Sequence, residues 1–329
     1  MAVILAGDIG GTKTNLGLFR WSGNSLEPIR SRISPTSDFQ TIEDAVARFV
    51  GGDGRTIDAA CFGVPGPVIG GSVSAVNVPW GVMREKSISD ALSGKPVQLI
   101  NDLGATAMGV IHLPDSKCEI LQRGGTRKIQ GNTAVIAAGT GLGEASLVYS
   151  AGRHHIVVSE GGHTDFAPHN AEQIELLRFL KPEFGHVSVE RVLSGPGLFN
   201  IYRFIRSRSG EPEPSWLVQK LASEDPGAVV GEVAIAQGFG DCVRALEMFV
   251  DVYGAEGGNL ALKVLALGGV YLAGGIAPKI LPMLRDERFV RAFNDKGRLA
   301  PMLEQIPIKL SLDDNVALYG AAHCAIAML

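Results

Sequence analysis

The chain has 329 residues, 46% of them hydrophobic and 19% charged, which excludes a disordered chain and leaves ample material for a buried core. Lys plus Arg is 30 and Asp plus Glu is 34, a net charge of −4 with no run of like charge, so a dedicated nucleic-acid surface is not expected. At roughly 100–200 residues per domain, the length points to two domains or one bilobal unit.

A continuous apolar run predicts a strand over residues 3–7, a tight link over 8–13 and a second strand over 14–20. A more exposed strand is expected over 27–33. Helical spacing over 42–50 follows Thr41, a residue suited to an N-cap. Buried strands are expected over 57–64, ended by Pro65-Gly66-Pro67, and over 97–100, with a helix over 103–110. Strands first, then strand alternating with helix, is an α/β pattern with a mixed sheet. The pattern restarts with a strand over 133–138, a turn over 139–143 and a returning strand over 144–149. Shifting the first hairpin by 130 residues puts Gly11 on Gly141 and Phe19 on Tyr149, which suggests two related lobes. A strand over 156–159 follows. Residues 171 to about 267 read as mainly helical, with helical spacing over 229–253 and 260–267 and a Pro/Glu-rich loop at 211–214. A strand over 270–273 and a helix over 315–328 complete the chain.

Cys61, Cys118, Cys242 and Cys324 are far apart, with no zinc spacing, and read as reduced thiols. The apolar N-terminus runs straight into Asp8, so it reads as a strand and not a leader. No apolar stretch reaches the ~18 residues of a spanning helix. A cytoplasmic protein is expected.

Five places carry residues suited to chemistry. In Asp8-Ile-Gly-Gly-Thr-Lys13 (DIGGTK), Gly10 and Gly11 let backbone amides approach an anion, Thr12 adds a hydroxyl, and Asp8 suits Mg²⁺ through water. The same residues also suit a plain glycine hairpin. Gly139, Thr140 and Gly141 open a second glycine turn, which is either another phosphate cradle or another tight hairpin. It leads into a strand, which disfavours a dinucleotide fingerprint. Asn101 and Asp102 stand where a strand meets a helix. They are either a helix cap or a carboxylate placed to take a proton from a hydroxyl. Glu160 and His163 flank a glycine pair, as sugar-gripping groups or as a solvated turn. Glu190 reads as a first-turn acid of a helix. Gly274 and Gly275 end a buried strand, where a planar base finds a flat backbone surface or the chain simply turns.

Taken in order, DIGGTK, GVPGPV (63–68), NVPW (77–80), IND, AGTGLG, SEGGH, VERVLSGPGL (189–198) and YLAGGIAP (271–278) resemble the bacterial ATP-dependent glucokinase family from end to end. The resemblance implies a two-lobed actin-like ATPase (ribonuclease H-like) α/β fold. Its cleft lies between a small domain of residues 1–112 plus 312–329 and a large domain of 113–311. It implies a cytosolic ATP:glucose 6-phosphotransferase using ATP and Mg²⁺, working as a homodimer, without nucleic-acid or membrane partners. Asp102 looks like the base for the sugar 6-hydroxyl. Asn101, Glu160, His163 and Glu190 look like glucose ligands, with Asn77 near them. Asp8 looks like the Mg²⁺-side carboxylate. Gly10, Gly11 and Thr12, with Gly139, Thr140 and Gly141, look like the phosphate loops, and Gly274 and Gly275 like the adenosine side. Related repressor/kinase proteins carry a cysteine-rich zinc motif after the His. Here His163 is followed by Thr-Asp-Phe-Ala-Pro-His169, so no zinc is expected. Another hexose or an N-acetyl amino sugar as substrate stays open, and a sugar-responsive regulator or a filament ATPase is the reading from another class.

Overall fold

The structure, a computed structural model, describes residues 1–51, 57–75, 77–126, 129–210 and 212–329. Glu211, which opens the expected Pro/Glu loop, lies outside the described residues. Two compact units emerge: Met1–Lys117 with Ile156–Val158 and Asp313–Leu329, and Cys118–His155 with Ser159–Leu312.

In the first unit, β1 (Ala2–Ile9), β2 (Lys13–Trp21) and β3 (Leu26–Pro35) form an antiparallel meander. Helix α1 (Ile42–Val50) starts on Thr41, whose hydroxyl accepts from Asp44 N–H at 3.1 Å, as the sequence expects. Strand β4 (Ala59–Val64) is buried at all six positions, as befits a parallel strand covered on both faces. A small hairpin, β5 (Ser72–Ser74) and β6 (Val82–Arg84), and helix α2 (Glu85–Ala91) were not anticipated from sequence. Then come β7 (Val97–Asn101) and α3 (Asp102–Val110). The sheet order is β3-β2-β1-β4-β7, with β1, β4 and β7 parallel. Three neighbouring strands therefore deliver their carboxyl ends to one edge, where α/β proteins place ligands.

The second unit repeats that opening. After β8 (Cys118–Gln122), β9 (Thr133–Ala138), β10 (Leu142–Ser150) and β11 (Arg153–Ser159), whose Ile156–Val158 groups with the first unit, line up as a second meander. Helices α4 (Ala171–Phe184), α5 (Gly195–Arg208), α6 (Ser215–Ser223), α7 (Pro226–Ala236) and α8 (Gly240–Val264) follow. Strand β12 (Gly269–Ala273) lies parallel to β9, as β4 does to β1. Helices α9 (Leu281–Arg285), α10 (Arg288–Asn294) and α11 (Ala300–Leu303) and strand β13 (Ile308–Ser311) close the unit, with sheet order β11-β10-β9-β12-β13-β8. The last helix, α12 (Val316–Ile326), returns to the first unit and packs on α3, β1 and β4. Both units are thus α/β with mixed sheets. None of the four cysteines is in a disulfide, and Cys61, Cys242 and Cys324 are buried. Among the described residues, no helix is long and apolar enough to cross a membrane.

Candidate functional site

Within the first unit, Asp8 pairs with Gly63 across β1 and β4, and Val64 pairs with Asn101 across β4 and β7. A β-carbon on Gly63 would lie 3.6 Å from Asp102 Cα, so Asp8, Gly63 and Asp102 stand together at the strand ends. The electrostatics agree. Burial, and then the charge of Asp102, push the Asp8 carboxyl up to about 6.

The helix cap falls to Asn101. Its Oδ1 accepts from Leu103 N–H at 3.0 Å and Gly104 N–H at 3.2 Å, and its Nδ2 donates to Gly66 C=O at 3.3 Å. Asp102 is the first residue of α3, and its Oδ1 accepts from Leu103 N–H at 2.8 Å. The two polar residues that look alike in sequence are therefore different: one shapes the strand-to-helix turn, and the other presents a carboxyl group beside it.

The turn of Gly10, Gly11 and Thr12 is closed by Gly10 N–H donating to Lys13 C=O at 2.8 Å. Neither glycine has a positive φ, so left-handed backbone is not what places them there. Close approach is. A β-carbon on Gly11 would lie 2.5 Å from Asn77 C=O, which brings exposed Asn77 against this turn. Thr12 is exposed.

Within the second unit, Gly139 N–H donates to Gly141 C=O at 2.8 Å, which makes the matching turn with Thr140 exposed at its tip. Gly195 N–H at the start of α5 donates to Gly139 C=O at 2.8 Å, so the turn is held at a helix N-terminus. Gly274, at the end of β12, has φ +82° and would place a β-carbon 2.5 Å from Ala138 C=O. Both its conformation and its contact require glycine. Gly275 beside it is exposed.

Glu190 is a first-turn acid, as the sequence suggests, but of a short 3-10 helix, Val189–Arg191, ahead of α5. There its Oε2 accepts from Leu142 N–H at 2.8 Å, and a β-carbon on Gly141 would lie 2.6 Å from that oxygen. Glu190 is thus fastened to the glycine turn of β9 and β10. Its Oε1 stands 4.0 Å from His163 Nδ1, and His163 Nε2 stands 3.9 Å from Glu160 Oε2. These separations are too long for hydrogen bonds. They leave three polar side chains around one space, with Glu160 and His163 largely exposed and Glu190 mostly covered. The loop that carries two of them is a short 3-10 turn, Gly161–His163, after β11. One further residue, unnoticed in sequence, belongs to this region: Glu144 on β10 is a buried carboxyl beneath Gly161.

A family model described as Glucokinase matches residues 5–328. The chain belongs to the glucokinase family. The glucokinase of Trichormus variabilis is 39% identical over 341 residues, covering 99% of each chain. That of Yersinia enterocolitica is 37% identical over 318 residues, covering 96% of this chain and 94% of its own. The crystal structure of a glucokinase from an Antarctic psychrotroph superposes with a TM-score of 0.89 at 30% identity, covering 99% of both chains. A ROK family glucokinase from Streptomyces griseus, in complex with glucose and AMPPNP, shares the fold at a TM-score of 0.64 and 21% identity, covering 99% of this chain and all of its own. The glucokinase family and the ROK sugar kinases thus share the actin-like α/β fold that the two repeated meanders display here.

Proposed function

We propose that this chain transfers the γ-phosphoryl group of ATP to the 6-hydroxyl of glucose, giving glucose 6-phosphate and ADP, the first step of glycolysis. It is an ATP-dependent sugar kinase of the glucokinase family. The observation that supports the sugar most directly is the grouping of Glu160, His163 and Glu190, with Glu190 fixed by Leu142 N–H. Carboxylates accept from sugar hydroxyls, and an imidazole donates or accepts. Asn101, with Asn77 nearby, adds amide groups of the same use.

Phosphoryl transfer proceeds through a loose transition state, so alignment and charge neutralisation are the main tasks. In this reading the sugar ligands aim O6 at the γ-phosphorus. Asp102 accepts the O6 proton as the new O–P bond forms. Amides of the Gly10–Thr12 and Gly139–Gly141 turns receive the phosphates, and Gly274 and Gly275 receive the adenosine. Asp8 and Asp102, two carboxyls whose charges oppose one another, suit a hard divalent cation. Mg²⁺ would be held at Asp8 through water, where it would neutralise phosphate charge.

ATP turnover with and without glucose, over a panel of hexoses and N-acetyl amino sugars, tests this. Glucose-dependent formation of glucose 6-phosphate is expected. ATP hydrolysis indifferent to sugar would defeat the proposal. We also assign a homodimer in the cytoplasm, supported by the family resemblance alone. Light scattering of the purified protein checks the first and cell fractionation the second.

A further inference from the structure

Glu144 lies on β10 with 2% of its surface exposed. A buried carboxyl needs a partner. Its closest charge is a second buried carboxyl, Glu256 on α8, at 5% exposure, which opposes ionisation of Glu144. Glu256 is otherwise well supplied. Its Oε1 accepts from Lys263 Nζ at 3.1 Å and its Oε2 from Asn259 Nδ2 at 2.9 Å. Lys296 donates to Asn259 Oδ1 at 2.8 Å and to Ala255 C=O at 2.9 Å, and its charge also favours an anionic Glu256. Glu256 is therefore held by two side-chain donors, whereas Glu144 Oε1 meets none among the described residues. Burial first, and then the Glu256 charge, raise the Glu144 carboxyl to about 7. Lys263 opposes this, but it is half exposed and already paired with Glu256.

The other side of Glu144 meets the sugar loop. Its Oε2 occupies the place a β-carbon on Gly161 would take. Its backbone C=O accepts from Ser159 Oγ at 2.9 Å, and Ser159 Oγ accepts from Gly161 N–H at 3.2 Å. The turn between Glu160 and His163 thus rests on Glu144 through both side chain and backbone.

We propose that Glu144 is a positioning residue that supports the Glu160–His163 loop for sugar binding and loosens it on ionisation. This rests on the reading that Glu160 and His163 bind the sugar. An ionised Glu144 would stand beside the Glu256 carboxylate, and its Oε1 has no hydrogen-bond partner among the described residues. The charge must then turn toward water, and Gly161 has no room to stay where it is. Glu160 and His163 stand on the open side of the same loop, so the Glu144 effect is read as a difference between proteins.

The test is the glucose Kd of the whole protein between pH 6 and 8.5, with ADP affinity measured alongside. Wild type should lose glucose affinity above about pH 7, while Glu144→Gln keeps it. The ratio of the two affinities should grow at least about fivefold across the range, the low end of ordinary coupling between sites. ADP affinity should keep the same ratio throughout. Glu256→Gln removes the neighbouring charge, so its transition should move to lower pH. Parallel profiles for wild type and Glu144→Gln overturn the proposal. If Glu144→Gln does not fold, an unmoved transition in Glu256→Gln overturns it equally. Glu160→Gln separates the two levels. Unchanged glucose affinity there removes the sugar-site reading itself, whereas weakened affinity with parallel profiles removes only the role of Glu144.

Discussion

Asp102→Asn is the substitution on which the proposed chemistry turns. The cap of α3 is Asn101, so the substitution leaves both capping hydrogen bonds in place. The replacement amide oxygen can still accept from Leu103 N–H, which Asp102 Oδ1 does at 2.8 Å. What is lost is a negative charge in the first turn of a helix, worth about 0.3–1 kcal/mol. Removing that charge also relieves Asp8, whose ionisation Asp102 opposes. The two effects oppose each other, so stability should change by less than about 1 kcal/mol. Turnover should behave otherwise. General-base catalysis contributes about 10²–10⁴-fold, or roughly 3–5 kcal/mol of barrier. We expect kcat to fall at least about a hundredfold at saturating glucose and ATP, with ATP binding retained. A coupled assay for glucose 6-phosphate, thermal unfolding and nucleotide titration on the same sample measure all three. Asn101→Ala is the control: it removes the cap and should cost about 1 kcal/mol of stability. An Asp102→Asn protein with more than about a tenth of wild-type turnover would refute the base assignment.

Glu160→Gln and His163→Ala should each weaken glucose affinity about tenfold or more, the cost of a lost charged hydrogen bond, with ATP affinity unchanged; normal glucose affinity in both would take them out of the site. Gly274→Ala should lower ATP affinity and thermal stability together, because its φ of +82° and its contact with Ala138 C=O both oppose a side chain; a fully stable variant that binds ATP normally would contradict this. His323, stacked on His112 at 3.6 Å between ring centres, is held down to about 4 by burial and by the His112 charge, against an ordinary 6.5. The unfolded chain therefore binds more protons than the folded one between those pH values. The stabilisation is whole above about pH 6.5 and is lost as pH falls to about 4, by at most about 3 kcal/mol. His323→Gln should show a shallower acid loss in denaturant titrations, and slopes equal to wild type would count against the pair.

The site was legible where chemistry is written into consecutive residues. Asp8, Gly10 and Gly11 announce a strand ending in a tight turn, and Thr41 marks the start of α1 at the observed residue. Tertiary contact decides the rest. Asn101 and Asp102 are equivalent in a one-dimensional reading, and only the hydrogen bonds from Leu103 and Gly104 separate cap from carboxyl. Glu190 reads only as a helix-start acid because nothing in its own neighbourhood names Leu142, 48 residues away. Helix α8 shows the same limit at larger scale. Its apolar spacing suggests two pieces meeting near Gly254, Gly257 and Gly258, since a glycine inside a helix costs roughly 1 kcal/mol against alanine. Yet the helix runs unbroken over Gly240–Val264. Backbone at Phe289 and Phe293 of α10 lies where β-carbons on Gly254 and Gly258 would stand, so these glycines serve close packing and not a break.

Glu144 carries this argument furthest. In sequence it is one acid in an alternating strand, and such an acid ordinarily faces water. Its inward placement becomes intelligible only with Glu256 on the same α8, 112 residues later, and with Lys263 one further stretch of helix beyond it. The glycines that disguise α8 stand beside the acid that the buried pair requires, since Glu256 is bracketed by Gly254 and Gly257. Close packing there excludes water from the two carboxyls, and exclusion of water is what raises the first of them. The packing of a helix far along the chain thus holds up the carboxyl of a strand residue beneath Gly161 and links the core of this unit to the loop assigned to sugar.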